Sequence, residues 1–301
     1  MVCGTSSSRC GGGEPMRNPG LTPVVVGVNG TPAGLAAARL AAREAVVRGL
    51  PLRVVHVFTG QKTRSFDDAP DWPRARRESG ELVAEAVATA SRAVPGVHVE
   101  GLLLDGPPVR ELLRQSRTAE LLVIGGDDCA GTTRLPTDSV LVQTVSRSRC
   151  PVAVARGIRP PAGPVLTATD GSPSSLLALR TAAAEGRRRG VAVEVIHVAE
   201  TTDGEASGRR LLEDAVAAVP ELRTARTRLM IGEPAGNLVR AARRGRMMIV
   251  GPRGAGGGTL LGGVGLQLLR RCACPTVFVH GNPAGDTPSA GTVPTAGALI
   301  S

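Results

Sequence analysis

The chain repeats itself, and that constrains its fold more than anything else in it. Residues 24–58 (VVVGVNGTPAGLAAARLAAREAVVRGLPLRVVHVF) align with 165–199 (VLTATDGSPSSLLALRTAAAEGRRRGVAVEVIHVA) at a constant offset of 141. Gly30, Pro32, Glu44, Gly49 and His56 thereby recur as Gly171, Pro173, Glu185, Gly190 and His197. Further along the offset falls to 126, where Gly106, Pro108, Leu112 and Gly125 match Gly232, Pro234, Leu238 and Gly251. It ends at 124, pairing Cys150-Pro151 with Cys274-Pro275. Colinear matching of this extent is the mark of a tandem duplication. In 301 residues each copy has the length of an ordinary small domain.

Each copy alternates short apolar runs with longer segments of helical character. In the second, strands are expected at Val165–Thr169, Val193–Val198, Thr224–Ile231, Met247–Val250 and Thr276–Val279. Helices are expected at Pro173–Arg189, Gly204–Ala218, Pro234–Arg244 and about Val264–Arg271. Ser172 is a natural N-cap, Pro173 suits the first helical position, and Gly190 supplies a left-handed stop. Arg187, Arg188 and Arg189 are read as last-turn cations that complement the helix dipole. The first copy follows the same plan, with strands near 24–28, 53–58, 97–104, 121–124 and 152–155. Its extra segment, 60–73 (GQKTRSFDDAPDWP), is polar and Pro-bearing and reads as a surface loop. Strands of nearly continuous apolar character between helices indicate a parallel sheet covered on both faces. The domains are drawn at 20–157 and 163–281, with RGIRPPAGP (156–164) as linker. Residues 1–19 and 282–301, rich in Gly, Ser, Pro and Thr, are expected to be a disordered leader and tail.

Composition narrows the function classes. An apolar fraction of 42% and a mean hydropathy of +0.06 suffice for real cores. No run approaches the roughly 18–20 apolar residues of a membrane span. The leader lacks the apolar stretch of a signal peptide, so a cytoplasmic location is the default. Aromatic residues make up 1% of the chain, too few for the stacking platforms of single-strand nucleic-acid modules. The net charge of +10 is nearly all arginine, with Lys62 the single lysine, and is spread over both copies. Nucleic acid is therefore disfavoured as a partner. The six cysteines (3, 10, 129, 150, 272 and 274) form no CxxC pair and have no zinc spacing. They read as small buried hydrophobes of a reducing compartment.

In open parallel sheets ligands bind beyond the carboxyl ends of the strands, where strand order reverses. Two loops of the second copy should meet there. One is Ala168-Thr169-Asp170-Gly171-Ser172. The other is the Gly-rich run from Gly251 to Gly263, which follows Val250 and leads into Val264 and the next helix. Its glycines let backbone N–H groups approach a phosphate, the helix N-terminus adds partial positive charge, and Arg253 is a cation within the loop. No Walker lysine follows, which excludes a P-loop NTPase.

These features together resemble the universal stress protein family. The resemblance rests on Thr169–Pro173 and Val28–Pro32, on His-Val at 56–57 and 197–198, on the Gly-x-Pro segments at 106 and 232, and on the two Cys-Pro pairs. It implies a Rossmann-like, doubly wound open parallel sheet in each copy, five strands in the order 3-2-1-4-5, with the two copies packed as a pseudo-dimer. It also implies roles for residues of the second copy. Asp170, flanked by Ala168 and Thr169, would lie at the adenosine end of a nucleotide, Val198 would line the adenine pocket, and Gly251, Arg253 and Gly254 would meet the phosphates beside Val250. Gly262, Gly263 and Val264 would close the loop onto the helix. This copy departs from the family pattern in two ways. Seven residues, not nine, separate Gly254 from Gly262, and Gly263 and Gly265 stand where hydroxyl residues are usual. The first copy departs further, since Asn29 replaces the acid, Asp128 the second motif glycine and Asp138 the counterpart of Gly262. With Asp127 these carboxylates would repel a triphosphate. A metal site made of the three is the alternative to a solvated loop.

The resemblance thus implies a regulatory, non-enzymatic stress-response protein that takes ATP, or AMP or ADP, in its second copy alone and acts on an unidentified protein partner. An interaction scaffold that has lost its ligand is the competing reading. A slow ATPase or nucleotidyl transferase comes third, for want of an activating His or Lys motif. His56 and His197 are read as packed, hydrogen-bonded residues, and His98 and His280 show no recognisable partner. Whether two tandem chains assemble as a homodimer through their strand-five edges is left open.

Overall fold

The computed structural model describes residues 22–60, 71–126, 135–157, 162–254 and 261–280. The expected leader and tail, most of the 60–73 loop, Asp127 and Asp128 lie outside them. Ten strands and eight helices alternate among the described residues. In the first repeat the order is β1 (Val24–Gly27), α1 (Pro32–Arg48), β2 (Leu52–Phe58), α2 (Trp72–Ala93), β3 (Val99–Asp105), α3 (Pro108–Gln115), β4 (Leu121–Gly125), α4 (Val140–Arg147) and β5 (Val152–Ala155). The second repeats it with β6 (Val165–Ala168), α5 (Pro173–Arg189), β7 (Val193–Ala199), α6 (Glu205–Ala217), β8 (Arg226–Ile231), α7 (Pro234–Ala242), β9 (Met247–Val250), α8 (Gly263–Arg271) and β10 (Thr276–Phe278).

Local chemistry sets the helix ends. Thr31 and Ser172 cap α1 and α5 by accepting from Gly34 N and Ser175 N, both at 3.2 Å. Gly49 and Gly190 stop the same helices at φ 65° and 63°, a left-handed conformation that costs glycine nothing. The expected elements are all present, with ends displaced by one or two residues where helices fray. One boundary needs correction. Trp72 and Pro73 are not loop but the first turn of α2, capped by Asp71, whose carboxylate accepts from Arg74 N at 3.0 Å. Trp72 packs edge-on against Phe58 with ring centroids 6.0 Å apart.

The strand order is β3-β2-β1-β4-β5-β10-β9-β6-β7-β8. Each half therefore has the expected 3-2-1-4-5 order, and all pairs within a half are parallel. The halves do not form separate sheets, however. β5 and β10 pair antiparallel, Val154 opposite Thr276 and Val152 opposite Phe278, and fuse them into one ten-stranded sheet. Both strand-five edges are consumed within the chain, which closes that route to a homodimer. Each face of the sheet carries a core that draws on both repeats, one including Val26, Val54, Leu179 and Val195, the other Leu122, Val154, Met248 and Phe278.

Three further contacts join the repeats. Helices α1 and α5 meet through Glu44, Arg48, Glu185 and Arg189, whose side chains are 6–8% exposed. Arg48 bonds Glu44 on its own helix and Glu185 across the seam at 2.8 Å, while Arg189 bonds Glu185 at 2.7 Å and Glu44 at 2.5 Å. The last-turn arginine Arg189 is thus a structural cross-link as well as a dipole partner. Beyond the strand-five pair, Arg156 donates to the Leu269 carbonyl of α8, and His280 Nε2–H donates to the Val145 carbonyl of α4 at 2.5 Å. His280, without a visible partner in the sequence, is a seam residue.

Candidate functional site

The carboxyl ends of β6 and β9 diverge at the point where strand order reverses, and a cavity of about 390 Å³ opens there. All eleven residues singled out from the sequence line it: Ala168, Thr169, Asp170, Val198, Val250, Gly251, Arg253, Gly254, Gly262, Gly263 and Val264. Pro252 and Gly265, from the loop and helix start already marked in the sequence, complete the wall with Ser175, Ile196, His197, Pro234, Leu238 and Leu268, which were not foreseen. His197, Pro234 and Leu238 belong to repeated motifs, so the duplication itself marked them. Val198, Pro234 and Leu238 make one end apolar, whereas Asp170, Arg253 and the glycines make the other polar.

The polar end is built from tight backbone. Asp170 Oδ1 accepts from Ser172 N at 3.0 Å, closing an Asx turn ahead of α5. His197 Nδ1–H donates to the Thr169 carbonyl at 2.8 Å, which fixes the chain just before Asp170. A Cβ on Gly251 would stand 2.1 Å from Ser174 Oγ, and one on Gly254 would stand 2.8 Å from Asp170 Oδ2. Gly251, which also crowds the Ser174 backbone, excludes a side chain at present geometry, whereas at Gly254 a side chain would have to turn the Asp170 carboxylate aside. Gly263 differs, for a Cβ there meets nothing within 4 Å. It is the first residue of α8, whose N-cap, Gly262, makes no side-chain hydrogen bond. Among the described residues the opening amides of α8 therefore have neither an intrahelical acceptor nor a side-chain cap, and an anion is the natural complement.

The first repeat keeps the skeleton and changes the mouth. Asn29 Oδ1 accepts from Thr31 N at 3.3 Å in the same Asx turn, and His56 Nδ1–H donates to the Val28 carbonyl at 2.8 Å. A Cβ on Gly125 would stand 2.6 Å from Ala33 backbone atoms, as Gly251 crowds Ser174. Asp138 is exposed in a turn. Ser139 occupies the position equivalent to Gly263, and its hydroxyl caps α4 by accepting from Val142 N at 3.2 Å. The sequence reading missed this retained hydroxyl, although the Cys150–Cys274 offset points straight to it. Among the described residues no group of three or more His, Cys, Asp or Glu could hold a metal ion. The three-aspartate alternative depends on Asp127 and Asp128, outside those residues.

The sequence model of the universal stress protein family matches residues 20–156 and again 162–280. This chain belongs to the universal stress protein family. A universal stress protein of Mycobacterium tuberculosis is 30% identical over 292 residues, covering 85% of this chain and 96% of the relative. One of Mycolicibacterium smegmatis is 27% identical with the same coverage. A crystal structure of a universal stress protein from Archaeoglobus fulgidus aligns with a TM-score of 0.67 at 20% identity, covering 86% of this chain and 98% of that one. The tandem, doubly wound architecture is therefore that of known universal stress folds. Among the described residues no helix is long and apolar enough to cross a membrane.

Proposed function

We propose that this universal stress protein binds an adenine nucleotide in its second repeat and that occupancy, rather than catalysis, is its output. The observation that carries the reading is the backbone cup formed by Gly251, Gly254 and the start of α8, with the Asp170 carboxylate beside Gly254 at the polar end of the cavity. Its chemistry suits a phosphorylated nucleoside. Amides and Arg253 receive the anion, the carboxylate of Asp170 accepts from sugar hydroxyls, and Val198, Pro234 and Leu238 take the flat base. AMP or ADP fills the cup with less demand on the missing hydroxyl at Gly263 than ATP does. The first repeat, with Asn29 and Asp138 at its mouth, is read as empty of nucleotide. An unidentified protein partner reads the loaded state.

Calorimetry with AMP, ADP and ATP tests this directly. Binding at one site per chain, lost in Asp170→Ala with the fold unchanged, is the expected result; absence of heat from all three nucleotides ends the nucleotide reading. The scaffold reading has one observation in its favour, the glycine at 263 in place of a hydroxyl donor, and would then stand.

A further inference from the structure

Helix α8 ends in Arg271-Cys272-Ala273-Cys274-Pro275, and its two thiols face each other. Cys272 Sγ and Cys274 Sγ lie 3.9 Å apart, both residues buried. Cys272 is the C-cap of α8, and its N–H donates to the Leu268 carbonyl at 3.0 Å. One residue of the pair's surroundings comes from the other repeat, since Arg156 reaches over to Leu269 in the same turn. The buried Thr276 hydroxyl has no hydrogen-bond partner among the described residues. Hydrogen bonding from Cys274 is the main cause that brings the Cys272 thiol down to about 7 against the opposing effect of burial, with Arg156 assisting. The same contact pushes Cys274 up.

The first repeat provides an internal reference. At the equivalent place it has Ser148-Arg149-Cys150, with Ser148 Oγ and Cys150 Sγ also 3.9 Å apart. The backbone is thus the same and the second sulfur is the difference. Burial raises the Cys150 thiol to about 11, the behaviour of an inert core cysteine.

We propose that Cys272 and Cys274 form a redox-active dithiol, a site at which a hydroperoxide converts the α8 C-cap into a disulfide. The Cys272 thiolate attacks the peroxide; the O–O bond breaks, an S–O bond forms, and the departing alkoxide or hydroxide takes up a proton. Cys274 sulfur then attacks the sulfenic sulfur, the S–O bond breaks, and water leaves with the Cys274 proton. Two thiols and one hydroperoxide give a disulfide, an alcohol or water, and one further water. Closure brings the sulfurs from 3.9 Å to about 2.05 Å, a movement absorbed by the helix end. The disulfide redraws the turn on which Arg156 rests, so the inter-repeat seam registers it. The inference is independent of any nucleotide.

Trypsin separates the two cysteine environments, because no Lys or Arg follows Arg271 and Cys150–Arg156 is a peptide of its own. The reduced full chain is exposed to hydrogen peroxide, denatured with N-ethylmaleimide present, and digested. The Cys272–Ser301 peptide should emerge unalkylated and two hydrogens lighter, reverting with dithiothreitol, while Cys150–Arg156 is alkylated in full. Cys272→Ser, which installs the Ser-x-Cys pair that the first repeat already tolerates, should abolish the reaction, and Ser148→Cys should create a second disulfide peptide. The proposal is overturned if Cys272–Ser301 carries two alkyl groups at peroxide levels that oxidise a free thiol. Linkage to another cysteine peptide, or Cys272 sulfinate beside an alkylated Cys274, overturns it equally.

Discussion

The two repeats are alike at most positions where atoms pack and differ most where the chain meets solvent. Gly125 and Gly251 press against the starts of α1 and α5, His56 and His197 bond the strand-one carbonyls, and Glu44 and Glu185 share the same arginines. At the mouths this equivalence breaks. The second repeat has Asp170 and the open glycine cup but lacks the hydroxyl at 263; the first keeps that hydroxyl as Ser139 but spends it on a helix cap and replaces the acid by Asn29. A duplicated core is held by close packing, in which any change of volume is costly. A loop tip carries no such constraint, so the ability to hold a ligand can be lost from one copy without disturbing the sheet.

Substitutions can break or sharpen this comparison. The largest effect is expected at the seam quartet. Glu44→Ala and Glu185→Ala each leave two buried arginines to share a single carboxylate and should each cost about 3–5 kcal/mol by urea unfolding. A clearly unequal pair of costs would show that the quartet is not symmetric. Gly251→Ala and Gly125→Ala overpack matching sites and should each lose about 1–3 kcal/mol, read as a lower urea midpoint. Gly263→Ser adds the missing donor where nothing blocks it, and should tighten ATP about tenfold by calorimetry, about 1.4 kcal/mol. Unchanged affinity would move the phosphates away from α8.

The smallest effect concerns acid. Burial, chiefly, holds His280 below its ordinary value of 6.5, with the Arg253 charge adding to it. Above pH 6.5 histidine is neutral in both the folded and unfolded chain, and its contribution to stability is fully present. As pH falls from there toward the depressed folded value, the unfolded chain binds the proton first and stability declines. His280→Gln should flatten that decline in a series of urea curves, and an unaltered slope would detach His280 from it.

The fold was legible because duplication doubles the evidence: a cap at Ser172 gains weight from Thr31, and a stop at Gly190 from Gly49. The residues of the cavity were legible because strand ends and glycine loops are local features. The seam was not, since pairing Arg189 with Glu44 or His280 with Val145 joins residues far apart in the chain, and no periodicity announces such partners. The recurrence of Glu44 and Arg48 as Glu185 and Arg189 was nevertheless visible as an offset. The sulfur contact was hidden in the same way, because Cys-Ala-Cys gives the spacing of two thiols but not their direction.

The antiparallel junction of β5 and β10 does what a symmetric dimer interface does, but inside one polypeptide. Dilution cannot separate its halves, since their effective concentration is set by a short linker and not by the amount of protein present. A symmetric homodimer must also carry every amino-acid change twice. Here each edit occurs once, and that freedom is what lets one mouth stay open while its twin is rewritten.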